Sequence, residues 1–115
     1  MIPTRNSDHV ALAADVFHLL GDRTRLRIVL ACLDAPASVG EIADAVEISS
    51  SLTSHHLRLL KASALVRAER QGRQVLYRAA DDHVRGIVSD MMAHVAHANG
   101  ERAAPANEDR ADRAV

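Results

Sequence analysis

Aromatic residues are nearly absent: the 115 residues include one Phe, one Tyr and no Trp. Strand-rich folds draw on aromatic and β-branched side chains, so this scarcity argues for a mainly helical protein packed with Leu, Val and Ala. Cysteine occurs once, at Cys32. That excludes an intrachain disulfide and a cysteine-rich zinc module, and the neighbours Leu30, Ala31 and Leu33 place Cys32 in the core. No apolar run approaches the roughly 18 residues of a membrane span. The segment Met1 to Val10 carries Arg5, Asp8 and His9 and no apolar stretch, so neither export nor a membrane partner is expected and the cytoplasm is the expected location. Strong net charge is missing too. At a formal −1, any nucleic-acid partner must be announced by local clustering rather than by overall balance.

Such a cluster is present. Between Ser51 and Arg78 stand Arg58, Lys61, Arg67, Arg70, Arg73 and Arg78 against the single acid Glu69, six cations to one anion. Charge is therefore segregated along the chain. With 48% apolar and 25% charged residues, the chain fits one domain whose modest core would gain from dimerisation.

Periodicity divides the chain into elements. Apolar residues recur at helical spacing from Val10 to Leu20 and stop at Gly21. Asp22 is placed to cap a second helix running through Leu26, Ile28, Val29 and Leu33 to a turn at Asp34-Ala35-Pro36. Ser38, three residues before Glu41, has capping-box spacing and opens a short helix through Ile42, Ala43 and Val46. After Glu47-Ile48-Ser49 comes a helix expected to turn Leu52, Leu57, Leu59 and Leu60 inward. The two short helices around a tight turn have the outline of a helix-turn-helix. Near-alternation from Leu65 to Tyr77 around Gln71-Gly72-Arg73 predicts a β-hairpin with a basic tip. From Asp81 to Asn99 the helical period returns, with Val84, Ile87, Val88, Met91, Met92 and Val95 in one stripe, ending at Gly100. The expected organisation is a flexible arm over 1–9, a winged helix-turn-helix DNA-binding and dimerisation domain over 10–99, and a disordered tail over 100–115, which is Ala-rich and charged.

A recognition helix needs short polar groups near its start to approach base edges, and longer basic groups to hold phosphates. Ser51, Ser54 and His55 meet the first need, and Arg58 and Lys61 the second. Arg70, Arg73 and Gln74 at the hairpin tip are placed for neighbouring phosphates or the minor groove. Any one of these arginines is explained as well by a solvated surface; the ordered set points to double-stranded DNA.

The last helix carries Asp81-x-His83, ten residues, then His94-x-x-His97. Three residues apart, His94 and His97 can converge on one ion. His83 and His94 are separated by about 16 Å of helix axis, at 1.5 Å per residue. One helix cannot close the site. An antiparallel copy would bring Asp81 and His83 opposite the partner's His94 and His97, with the midpoint near Val88 and Ser89 inside the apolar stripe. Ligand spacing and apolar pattern thus call for the same two-fold geometry, with two sites of one carboxylate and three imidazoles. Such a donor set suits zinc or cobalt; nickel favours more ligands, which His9, Asp8 or His18 would supply if the first helix packs over the last. Taken singly, His9 reads as a solvated terminus and His18, His55 and His56 as solvated or core-satisfied side chains.

Leu20-Gly21-Asp22-Arg23-Thr24-Arg25-Leu26-Arg27-Ile28, Glu41-Ile42-Ala43, Ser54-His55-His56-Leu57-Arg58-Leu59-Leu60 and Gly72-Arg73-Gln74-Val75-Leu76-Tyr77 together resemble the ArsR/SmtB family of bacterial metal-responsive repressors, over about residues 10 to 98. Arg23 stands where the family usually has proline, and Ser50 where it often has glutamine. The resemblance implies a homodimer formed through the first and last helices, and a last-helix site of the zinc-, cobalt- and nickel-responsive type at Asp81, His83, His94 and His97. It also implies a link from the second ring nitrogen of His94 to backbone near Ala64. Ser38-Val39-Gly40-Glu41-Ile42 stands where the thiolate-sensing members carry cysteines, which argues against arsenic, cadmium or lead. The expected function is metal-dependent release of an operator, with no small organic substrate. Two rivals are a metal-independent regulator with vestigial histidines and a small metalloenzyme; the latter lacks a glycine-rich pocket or a second carboxylate near the ligands.

Overall fold

The computed structural model describes residues 7–102, in the order α1 (Ser7–Leu20), α2 (Arg23–Ala31), β1 (Ala37–Ser38), α3 (Val39–Val46), α4 (Ser50–Ala62), β2 (Val66–Gln71), β3 (Gln74–Ala79) and α5 (Asp82–Arg102). The described residues divide into two units between Arg85 and Gly86, with α5 beginning in the first. The architecture is mainly helical with one small antiparallel sheet of order β1-β3-β2. Among the described residues no helix is long and apolar enough to cross a membrane.

Local chemistry explains the element ends. Gly21 closes α1 where the chain turns so tightly that a Cβ would sit 3.2 Å from the Phe17 carbonyl oxygen. Asp22 accepts the Arg25 backbone N–H at 2.9 Å and caps α2, while Arg25 Nε donates to the Leu19 carbonyl at 2.9 Å, tying α1 to α2. Ser38 and Glu41 form the reciprocal capping box expected from their spacing, with bonds of 3.2 and 2.8 Å. Ser49 caps α4 through the Leu52 N–H.

The first unit is built around Ile28, Val29 and Cys32 of the α2 segment, Ile42 and Val46 of α3, Leu57 and Leu60 of α4, and Val66 and Ala79 of the sheet, all buried. Each large side chain removed from water here contributes about 1.5–3 kcal/mol. Cys32 is fully buried, and desolvation pushes its thiol up to about 11, so it is an inert core residue.

Several expectations need correction. Leu52 and Leu59 do not face the core; they are 43% and 38% exposed, and the buried position is Thr53. Its hydroxyl is satisfied by donating to the Ser49 carbonyl at 2.8 Å, which makes a polar residue acceptable inside. The hairpin is joined by a third strand, β1, whose Ala37 and Ser38 pair with Tyr77 and Leu76. Ser38 therefore ends a strand and caps a helix at once, anchoring the hairpin to the start of α3. Helix α1 begins at Ser7, before the apolar pattern does, so residues 7–9 of the expected arm are helical. Helix α5 runs through Gly100 to Arg102, because one helical glycine costs only about 1 kcal/mol and does not by itself stop a helix. The rest of the expected arm and tail, residues 1–6 and 103–115, lies outside the described residues.

Candidate nucleic-acid interface and metal half-sites

Helix α4 is anchored by one face and presents the other. Thr53, Leu57 and Leu60 are buried, and on its outer sides Ser51, His55, Arg58 and Lys61 are exposed while Ser54 is half-buried. The turn leading into it uses Glu47 in the left-handed region at φ 64°, its N–H bonded to the Ala43 carbonyl at 2.7 Å. Beyond α4, Ala64 also adopts a left-handed φ of 58°, and the Leu65 N–H returns to the Leu60 carbonyl at 2.9 Å. Helix α4 and the hairpin are thus joined by a tightly bonded corner.

In the hairpin, Gln71 pairs with Gln74 around a two-residue turn, Gly72-Arg73. Gly72 carries φ 64°, the conformation glycine supplies at the first central position of such connections. Arg70, Arg73 and Gln74 are all exposed at this tip. The structure therefore places every DNA-binding candidate on α4 or the hairpin tip, with only Ser54 partly covered.

Three features escaped sequence reasoning. Glu69 bridges Arg67 and Arg78 through one oxygen, at 3.4 and 3.1 Å. His56 points its Nδ1 into a buried position where, among the described residues, it has no hydrogen-bond partner. Burial, then the Arg25 guanidinium and His55, lower its pKa, and Asp22 opposes them. Arg85 donates from Nε to the Leu33 carbonyl at 3.1 Å and pairs with Asp82 at 2.7 Å, pinning the first turn of α5 to the end of α2. Only the Arg85–Asp82 pair had a readable signal, three residues apart on one helix.

Asp81 and His83, two of the expected metal donors, stand together at the start of α5. Asp81 caps the helix, accepting the Val84 N–H at 2.9 Å, and its Oδ1 lies 3.8 Å from His83 Nδ1. Both side chains are open to solvent, His83 at 94%. In the second unit His94 and His97 are exposed on α5, three residues apart. Among the described residues of one chain, no three His, Cys, Asp or Glu side chains gather where they could hold an ion. His9 and His18 both lie on α1; nine residues apart, they point about 180° from each other around the helix, so a given copy of α1 can offer at most one of them to an ion.

The apolar stripe of α5 is uncovered: Ile87, Met91, Met92 and Val95 are 38–57% exposed, and only Val88 is buried. No residue of α1 is buried, and Val10, Leu12 and Phe17 are more than half exposed.

Comparison with known proteins agrees with this geometry. The bacterial regulatory protein domain of the arsR family matches residues 22–68, the segment from the α2 cap into the hairpin. The transcriptional repressor SmtB of Mycobacterium tuberculosis is 42% identical over 82 residues, covering 71% of this chain and 61% of SmtB. The chain thus spans less than two thirds of that relative. The transcriptional regulator KmtR of the same organism is 36% identical over 91 residues, covering 79% of this chain and 70% of KmtR. Among solved structures, a winged helix-turn-helix DNA-binding domain from Mycobacterium bovis superposes with a TM-score of 0.71 at 23% identity, over 90% of this chain and 97% of that one. The fold is a winged helix-turn-helix.

Proposed function

The chain belongs to the arsR family of bacterial regulatory proteins, and on that premise we propose that it is a homodimeric, metal-responsive transcriptional repressor. The carrying observation is the division of α4: one face is locked into the core through Leu57 and Leu60, while Ser51, His55, Arg58 and Lys61 on its other sides are exposed, as are Arg70, Arg73 and Gln74 at the hairpin tip. Two such helices in a dimer would enter successive major grooves of an inverted-repeat operator, the basic side chains holding phosphates and the short polar ones reaching base edges.

The effector is a divalent transition metal, zinc or nickel, held by Asp81 and His83 of one protomer and His94 and His97 of the other. Imidazole and carboxylate are the donors on offer; the one thiol is buried and protonated, which disfavours thiolate-seeking ions. When bound, the ion would crosslink the two last helices and favour a spacing of recognition helices that no longer fits the operator. The coupling is a difference in metal affinity between two dimer geometries, so operator binding must weaken metal binding by the same factor. With the helix ends observed, the proposed binding and dimerisation domain takes in all of α1 and α5 rather than stopping at 10 and 99.

Operator titrations at fixed salt, without metal and with zinc or nickel, test the reading. We expect metal to weaken operator binding about 5- to 150-fold, the ion with the larger effect being the effector. Equal affinities in all three conditions would rule out metal regulation and leave a metal-independent repressor.

A further inference from the structure

The hairpin carries four arginines, Arg67, Arg70, Arg73 and Arg78, and they do not present themselves alike. Arg67 and Arg78 are direct cross-strand partners. Side chains of such a pair share one face of the sheet, and like charges placed there repel. Glu69, two residues along β2 from Arg67, lies on that same face. Its Oε1 accepts from both guanidiniums, at 3.4 and 3.1 Å, and Arg78 is two-thirds covered, with a buried Nε that has no partner among the described residues. Arg70 and Arg73 differ: both are exposed, and among the described residues neither forms an ion pair.

We propose that Glu69 is a built-in competitor for phosphate: it holds Arg67 and Arg78 on the wing, so that DNA phosphates meet only Arg70 and Arg73 at the tip. The proposal rests on the DNA-binding reading above and adds a limit to it. An acceptor already in place for two of four arginines reduces the number of phosphates the wing neutralises. That number sets sequence-independent affinity and its salt dependence. Restraining it favours discrimination, because binding to arbitrary DNA grows with every phosphate neutralised while base readout by α4 does not.

The test is the binding of a fluorescein-labelled duplex of mixed sequence by the full chain, followed by anisotropy across a salt series. Glu69→Gln keeps the shape and removes the charge. It is expected to bind more tightly at low salt, and the slope of log affinity against log salt should steepen by about 0.9 for each further phosphate neutralised. For one such phosphate, a rise from about 50 to 200 mM salt then costs the variant about 3.5-fold more affinity than the unmodified protein. Adding Arg67→Gln and Arg78→Gln to Glu69→Gln should reverse that increase. In the otherwise unmodified chain, Arg67→Gln with Arg78→Gln should leave the slope unchanged, a second reading that holds even if Glu69→Gln does not fold. An unchanged or shallower slope in Glu69→Gln, or a slope lost with the two arginines, overturns the proposal. If the unmodified protein shows no salt-dependent binding to DNA, the DNA reading itself fails and takes this proposal with it.

Discussion

The helix-turn-helix with its wing and the two terminal helices are built on opposite terms. From α2 to β3 the apolar side chains close on one another: Ile28, Val29, Ile42, Leu57, Leu60 and Val66 are almost wholly buried. In α1 and α5 the comparable side chains stand in solvent, Phe17 at 63%, Ile87 at 57% and Met91 at 53%. Exposed apolar side chains on each of these helices are what a partner surface would cover. The difference teaches which task a single chain can complete. The surface proposed to read DNA is backed by a closed core, whereas the helices proposed to carry metal donors leave apolar side chains exposed. On the proposed function, a second copy would cover those side chains and complete the donor set.

That contrast can be broken by substitution. Leu57→Ala empties the centre of the closed region and should cost about 2–5 kcal/mol of unfolding free energy at every protein concentration, read by denaturant melts. Ile87→Asp with Met91→Asp should act instead through the dimer equilibrium. Sedimentation should find a monomer, thermal stability should lose its dependence on protein concentration, and calorimetry should find zinc affinity reduced about a hundredfold or more, with helix content retained. A variant that stays dimeric and binds zinc normally would refute the role given to α5. Smaller in effect, Arg73→Gln should reduce the salt slope of DNA binding by about 0.9 and leave zinc affinity unchanged, separating the two regions by readout.

The smallest effect is pH dependence within the closed region. Burial, and secondarily Arg25, hold the pKa of His56 below its usual 6.5 in the folded chain. The unfolded chain therefore takes up the proton first, and the stability contributed by neutral His56 is complete above about pH 6.5 and lost as pH falls below it. Melting temperatures of the metal-free protein at about pH 7.5 and 5.5 should fall less in His56→Asn than in the parent. An equal fall in both would place the pH response elsewhere.

Much of this architecture was readable because it is local. Asp22 and Ser38 announce their helices by residue type and spacing, and the structure finds both caps with the expected partners. The hairpin turn was readable from Gly72 for the same reason. What escaped depends on neighbours remote in sequence. Strand β1 is two residues long and is defined by its pairing with Tyr77 and Leu76. The inward face of α4 could not be told from its leucines alone, since Leu52 and Leu59 are as apolar as Leu57, and only the packing of α2, α3 and the sheet decides that Thr53 is the buried one. The clamp at Glu69 follows from strand register, which sets Arg67 opposite Arg78. The proposed metal donors were legible only as a spacing, Asp81-x-His83 and His94-x-x-His97, on one helix.

Mixing two disabled chains tests the central claim most directly. One carries Asp81→Ala with His83→Ala, the other His94→Ala with His97→Ala, so that neither alone holds a complete donor set in any arrangement. If each site takes two donors from each protomer, the mixed dimer regains one site. Random exchange of equal amounts should then restore tight zinc binding to about one quarter of the unmodified number of sites. A mixture that binds no more zinc than the two variants measured separately would contradict the account.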